Sequence, residues 1–140
     1  MMKQVLCRSS SAGLLLTILF VMAGCGSEPT AATIAAADLA GRIDNDTAPA
    51  IFDVRTPEEF AEGHIPGAIN IPHMDVASRA GEFSVYQDRE VVVYCGSGRR
   101  AAMAEADLAA AGFTNVRDLE GHMKVWKTEG FPLDQVSESN

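Results

Sequence analysis

The chain has 140 residues, with 11 Lys or Arg against 19 Asp or Glu and a formal net charge of −8. That length suits a single domain. The acidic balance argues against binding nucleic acid or anionic lipid headgroups, both of which need basic surface.

Residues 1–24 read as a secretory signal peptide. Lys3 and Arg8 make a positive start, Ala12 to Ala23 is an apolar run without charge, and Ala23-Gly24-Cys25-Gly26 supplies small residues. The run falls short of the ~20 apolar residues that span a bilayer. Ala23-Gly24-Cys25 resembles a bacterial lipoprotein signal, with Met22 where Leu is usual. The resemblance implies that Cys25 becomes the lipidated N-terminus, since two or more acyl chains anchor where one does not. An ordinary signal peptide, leaving Cys25 as a free thiol, is the competing expectation. The organisation expected is a signal peptide over 1–24, a lipidated tether over 25–33, a domain over 34–133 and a flexible tail over 134–140. The protein would then be exported and held at a cell-envelope membrane, facing the periplasm or the extracellular side. Without Lys3 and Arg8 the remainder has nine basic against 19 acidic residues, a net charge of −10.

Within the domain, Ala35 to Ile43 predicts a short helix with Leu39 and Ile43 on one face. Asp44 to Pro49 is a turn. Ala50-Ile51-Phe52-Asp53-Val54 suits a buried parallel strand. Thr56-Pro57-Glu58-Glu59 has the form of a capping box, with Thr56 as N-cap, Pro57 at N1 and Glu59 at N3. Gly63 ends that helix. Ala68 to Ile71 predicts a short strand, and His73 to Ala80 a helical turn. Val91 to Tyr94 is the central strand, Arg99 to Ala111 an alanine-rich helix, Val116 to Leu119 a strand, and His122 to Glu129 the last helix, with Gly130 and Pro132 beyond it. Alternating strands and helices predict an α/β fold with a mainly parallel sheet.

The most telling residue is Cys95, in Cys95-Gly96-Ser97-Gly98-Arg99-Arg100. It stands at the C-terminal tip of a strand, before a glycine-rich turn into a helix. Unpaired N–H groups at the helix start, a nest of loop N–H groups and Arg100 all favour an anionic, nucleophilic sulfur. Gly96, Ser97, Gly98, Arg99 and Arg100 are the candidate binding residues for a small anion. Cys7 leaves with the signal peptide and Cys25 would carry lipid, so Cys95 alone remains in the domain and no internal disulfide can form there. Ligands of open α/β sheets bind beyond the carboxyl ends of strands, where both Cys95 and Asp53-Val54-Arg55 are expected. Zinc needs three or four well-spaced ligands. His73 and His122 stand apart from other ligand types, so no metal site is expected.

These residues resemble the rhodanese family of sulfurtransferases over roughly Thr33 to Leu133. The segments that carry the likeness are Asp53 to Phe60, Gly63 to Pro72, Cys-x-x-Gly-x-Arg at Cys95, Gly98 and Arg100, and Leu119 to Pro132 with Gly121, Trp126, Gly130 and Pro132. The resemblance implies a three-layer α/β fold with helices on both faces of the sheet. It implies transfer of sulfur from a small anionic donor such as thiosulfate, through a Cys95 persulfide, to a thiophilic acceptor such as cyanide or a thiol, without a cofactor. It also implies that Asp53 and Arg55 brace neighbouring loops by ion pairing. Two positions depart from the family pattern. Gly96 stands where many members carry a larger, often basic residue, which bears on donor preference. His122 stands where a second Gly is common, and is expected to alter the rim of the pocket while leaving the Cys loop untouched. His64 is read as a structural turn residue and Trp126 as a core anchor.

Two rival functions fit less well. Cys-dependent phosphatases and arsenate reductases place one more residue between Cys and Arg than the four found here. A non-catalytic sulfur-carrier or binding module at a membrane keeps the same fold and the same Cys95. The sequence leaves the oligomeric state open.

Overall fold

A computed structural model of the chain describes residues 32–136. Cys7, Cys25, the expected signal peptide and residues 137–140 lie outside them. In chain order the elements are β1 (Ala32–Ile34), α1 (Ala36–Asp44), β2 (Ala50–Asp53), α2 (Pro57–Glu62), β3 (Ile69–Asn70), α3 (Val76–Arg79), a 3-10 segment (Ala80–Tyr86), β4 (Val91–Tyr94), α4 (Arg99–Ala110), β5 (Val116–Leu119) and α5 (His122–Thr128). The five strands form one sheet in the order β1-β5-β4-β2-β3, and every pairing is parallel.

Side chains alternate across the strands with period two, which divides the core into two halves. From β2 and β4, Phe52, Val54, Val91, Val93 and Cys95 face one side. There they meet Val76, Ala80, Ala101, Ala104 and Leu108 of α3, the 3-10 segment and α4. Ile51, Val92 and Tyr94 face the other side, against Leu39 of α1 and Met123 and Trp126 of α5. The result is the expected three-layer α/β arrangement. Phe52 sits at the middle of an aromatic cluster with Phe83, Tyr86 and Phe113. Trp126 is fully buried and its Nε1–H donates to the Pro132 carbonyl at 2.8 Å.

The sheet order places the site. From β4 the chain crosses to β5 on one side, whereas β2 and β3 lie on the other. The crevice at the carboxyl ends of β2 and β4 is therefore the topological switch point of an open sheet. Asp53 and Tyr94 are register partners there, and Cys95 follows directly.

Two boundaries differ from those read in the sequence. Ala32 and Thr33, expected in the tether, pair with Arg117 and Asp118 as part of β1. Asp134, expected in the tail, exchanges backbone hydrogen bonds of 2.9 Å with His64. The ordered fold therefore extends beyond both ends of 34–133. Among the described residues, no helix is long and apolar enough to cross a membrane.

Candidate active site

The Cys95 loop is shaped by one backbone conformation that only glycine adopts readily. Gly98, the N-cap of α4, has φ +111°. This turns its N–H back onto the Cys95 sulfur, at 3.0 Å. Cys95 is 1 % exposed and lies at the floor of the loop. Ser97 and Arg99 are exposed, whereas Gly96, Gly98 and Arg100 are half-buried.

The Arg100 guanidinium lies against the loop and beside the Cys95 thiol, and is gripped by a carboxylate. Its two terminal nitrogens donate to the Glu59 oxygens at 2.6 and 3.0 Å. These bonds displace both groups, with burial opposing the displacement and the two charges adding to it. Arg100 is raised above its ordinary value, with a further contribution from Cys95. The Arg100 hydrogen bond is the largest cause that lowers Glu59 from 4.5 to about 2. Glu59 also completes the capping box of α2. Its Oε2 accepts from Thr56 N–H, and Thr56 Oγ1 accepts from Glu59 N–H. One residue thus ties the start of α2 to the active-site arginine, 41 residues away in sequence.

From below, α5 holds the loop at three points. Met123 N–H donates to Cys95 O at 3.0 Å and Lys124 N–H to Gly96 O at 3.3 Å. His122 Nδ1 accepts the Cys95 N–H at 3.4 Å. A Cβ placed on Gly98 would stand 2.7 Å from His122 Nε2, so ring and loop are in close contact. The expectation that His122 leaves the Cys loop untouched is therefore corrected. Its side chain is buried directly beneath the loop. Nor is it isolated from other polar groups, because its Nε2 faces Asp118 Oδ1 at 3.5 Å. Behind Asp118 stands Glu105 of α4. Glu105 Oε1 and Asp118 Oδ1 are buried without a hydrogen-bond donor. Burial first, and then the Asp118 charge, push Glu105 up to about 7. A proton on Glu105 supplies the donor that this carboxyl pair lacks. Burial likewise raises Asp118, and lowers His122 below the ordinary imidazole range.

Asp53 and Arg55 form a buried ion pair at the end of β2, alongside the Cys loop. Arg55 also donates to Gly63 O at 2.8 Å. Asp53 Oδ2 accepts the Tyr94 hydroxyl at 2.7 Å, and that hydroxyl in turn accepts Ile65 N–H at 3.0 Å. Burial and the Asp53 charge drive the Tyr94 hydroxyl well above its ordinary value, so it serves as a neutral donor. The network ties β2, β4 and the 63–65 segment together, and no hydrogen bond or ion pair links Asp53 or Arg55 to residues 95–100 among those described. His64 stacks on Phe60 with ring centroids 3.7 Å apart, and its Nδ1 bonds to the Phe60 carbonyl at 2.9 Å.

Among the described residues no cluster of His, Cys, Asp or Glu could hold a metal ion. A hollow of about 620 Å³ lies elsewhere, lined in part by Thr33, Arg42, Arg117 and Glu120. Glu90 occupies both of its arginines, at 2.6 and 3.0 Å.

The model of the rhodanese-like domain matches residues 35–129, more than half of the chain. The chain belongs to the rhodanese family. It is 40 % identical over 96 residues to thiosulfate sulfurtransferase 16 of Arabidopsis thaliana, covering 58 % of this chain and 76 % of that one. It is 39 % identical over 83 residues to a sulfurtransferase of Allochromatium vinosum, covering 59 % and 76 %. A putative sulfur carrier protein of Bacillus subtilis, YrkF, is 38 % identical over 90 residues, and there the match spans only 48 % of the relative. Among solved structures, the Alr3790 protein of Anabaena sp. superposes with a TM-score of 0.68 at 32 % identity, over 74 % of this chain and 82 % of that one. A rhodanese-related protein of Thermoplasma volcanium gives 0.61 at 34 % identity, over 74 % and 97 %. This rhodanese domain thus has named sulfurtransferases among its relatives.

Sequence reasoning found the loop and its cysteine and missed the groups that hold them. Glu59 was legible only as a capping residue. Tyr94 reads as one more apolar position of β4. Glu105 and Asp118 carry no sequence signal, because they meet only when α4 folds over β5.

Proposed function

We propose that the chain is a sulfurtransferase of the thiosulfate type, working by double displacement through Cys95. The observation that carries this reading is the Cys95 sulfur at the switch point, receiving the Gly98 N–H and flanked by Arg100. The anionic Cys95 sulfur attacks the outer sulfur of thiosulfate, the S–S bond of the donor breaks, and sulfite leaves with its electron pair. Cys95 is left as a persulfide anion. Cyanide then attacks the terminal sulfur, thiocyanate leaves, and the Cys95 thiolate is regenerated. Each step is nucleophilic substitution at sulfur, so no external oxidant is needed. The Gly98 N–H and the Arg100 guanidinium are placed to stabilise charge on the attacking and persulfide sulfurs. Gly96, Ser97 and Arg99 form the rest of the donor-binding rim.

Intact mass after incubation with thiosulfate tests the reading. Wild-type protein gains one sulfur, lost again on adding cyanide with release of thiocyanate. Cys95→Ser gains none. Transfer at the wild-type rate by Cys95→Ser overturns the proposal. The likeness to a relative named as a sulfur carrier supports a second reading, in which the loaded Cys95 passes sulfur to a partner with little turnover on cyanide. Loading without thiocyanate release would favour it. We further propose that Cys25 is the lipidated N-terminus of an exported protein, on the strength of the charged start, the apolar run and Ala23-Gly24-Cys25.

A further inference from the structure

The ring beneath the Cys loop has two distinguishable nitrogens, and each faces a different partner. Nδ1 receives the Cys95 N–H at 3.4 Å. A nitrogen that accepts a hydrogen bond carries no proton, so the neutral ring holds its proton on Nε2. Nε2 lies 3.5 Å from Asp118 Oδ1, a charged neighbour and not a hydrogen-bonded one, so the contact at Nδ1 is what sets the tautomer. The same edge of the ring lies against Gly98, whose N–H contacts the Cys95 sulfur. His122 therefore touches both ends of the turn that presents the sulfur. Its backbone is unusual as well. It has φ +51°, one of two non-glycine residues at positive φ among those described. A side chain at such a position carries a steric cost that most residues avoid. The ring is almost fully buried.

We propose that His122 is a positioning residue of the sulfur-carrying loop, latching it as the neutral Nε2–H imidazole and releasing it on protonation. This rests on the sulfur-transfer reading of Cys95. A proton on Nδ1 would set two N–H groups against each other at Cys95, and the acceptor would be lost. The titratable groups facing the ring are Asp118 of β5, with Glu105 of α4 behind it, and Cys95 of the loop. Lys124 lies on the same helix as His122. Asp118 draws the Nε2 proton and so favours the latched tautomer. Burial opposes a second proton and keeps the latch closed to below the ordinary imidazole range.

Three measurements test the latch. Nitrogen–proton correlation NMR on the wild-type protein near neutral pH reads the tautomer. Nε2–H is expected, and a neutral ring with its proton on Nδ1 overturns the proposal. The second is hydrogen exchange at the Cys95 amide in wild type, His122→Gly and His122→Asn. Glycine accepts the positive φ without the acceptor, and exchange should quicken about fivefold, as one lost hydrogen bond allows. Asparagine also tolerates that backbone, and its Oδ1 stands near the place of Nδ1, so it should restore the protection. Equal exchange in wild type and His122→Gly overturns the latch. The third is sulfur loading from thiosulfate between about pH 8 and about pH 5. The ratio of wild-type to His122→Asn loading rates should fall several-fold on acidification, because asparagine does not titrate. A ratio flat across that range overturns the release on protonation. If the wild-type protein takes up no sulfur at any pH, the sulfur-transfer reading fails, and the first two measurements still decide the latch.

Discussion

Replacing Glu59 with Gln removes one charge from the Arg100 pair and leaves the shape of the side chain. Gln also serves at the N3 position of a capping box, so the substitution separates the ion pair from the cap. The structure sets the scale. Arg100 holds Glu59 at about 2, down from 4.5, and that displacement taken whole is worth ~3.4 kcal/mol at 1.36 kcal/mol per pH unit. Solvent reduces it sharply. The side chains of Glu59 and Arg100 are 37 % and 28 % exposed, and exposed pairs measure ~0.2–1 kcal/mol. The bidentate geometry favours the top of that range, so Glu59→Gln should cost about 1 kcal/mol near neutral pH, or about 5 °C in Tm. Because folding lowers this carboxyl, its contribution is complete above the unfolded value of 4.5 and is lost as the pH falls toward 2. Urea melts of both proteins should therefore converge on acidification. A cost still undiminished near pH 2, or a loss above ~3 kcal/mol at neutral pH, would refute the argument, because neither follows from a screened ion pair.

Further outcomes follow from the same geometry. Arg100→Lys keeps the charge and loses the fork that spans Glu59 and the loop, and thiosulfate turnover measured as thiocyanate release should fall about tenfold or more. Glu105 is raised on folding to about 7, so the stability it contributes is complete below 4.5 and is lost as the pH rises through about 7. Glu105→Gln should accordingly gain about 1 kcal/mol in urea melts near pH 8 and nothing near pH 4, and equal stability at both would refute the buried-carboxyl reading. Metabolic labelling with a fatty-acid analogue should mark wild-type protein and leave Cys25→Ala unmarked. Wild-type protein without label, recovered wholly in a soluble fraction, would remove the anchor.

What could be read in the sequence was what short-range chemistry writes there. The apolar runs Ile51 to Val54 and Val91 to Tyr94 are buried in the centre of the sheet, and such strands need no partner to be recognised. Thr56-Pro57-Glu58-Glu59 announced its capping box because all of its bonds are local. β1 was missed for the opposite reason. Its three residues are Ala, Thr and Ile, and only their pairing with β5 makes them a strand. The 3-10 segment Ala80–Tyr86 shows no 3.6-residue period, and Phe83 breaks its helical backbone. At the site, the cysteine and glycines stood out by type and spacing. The histidine beneath them lies 27 residues further on, and its neighbours Asp118 and Glu105 are brought together by the sheet. A residue whose task is to hold another leaves no mark until the chain has folded.

The sheet order also bears on how the molecule is made. β1 emerges first, yet its neighbour is β5, which emerges last, and the Thr33–Glu120 bond joins residues 87 apart in sequence. Pairings over such separations slow folding. Until residue 119 has been synthesised, β1 has no ladder partner and one side of β4 is bare. The segment Val91–Tyr94, fully covered in the finished fold, is then an open apolar edge of the kind that recruits other chains. A nascent chain halted after α4 carries its cysteine loop already written but lacks both α5 and the closing strand. β5 and α5 thus decide both when the sheet becomes safe from aggregation and when the sulfur is set in place.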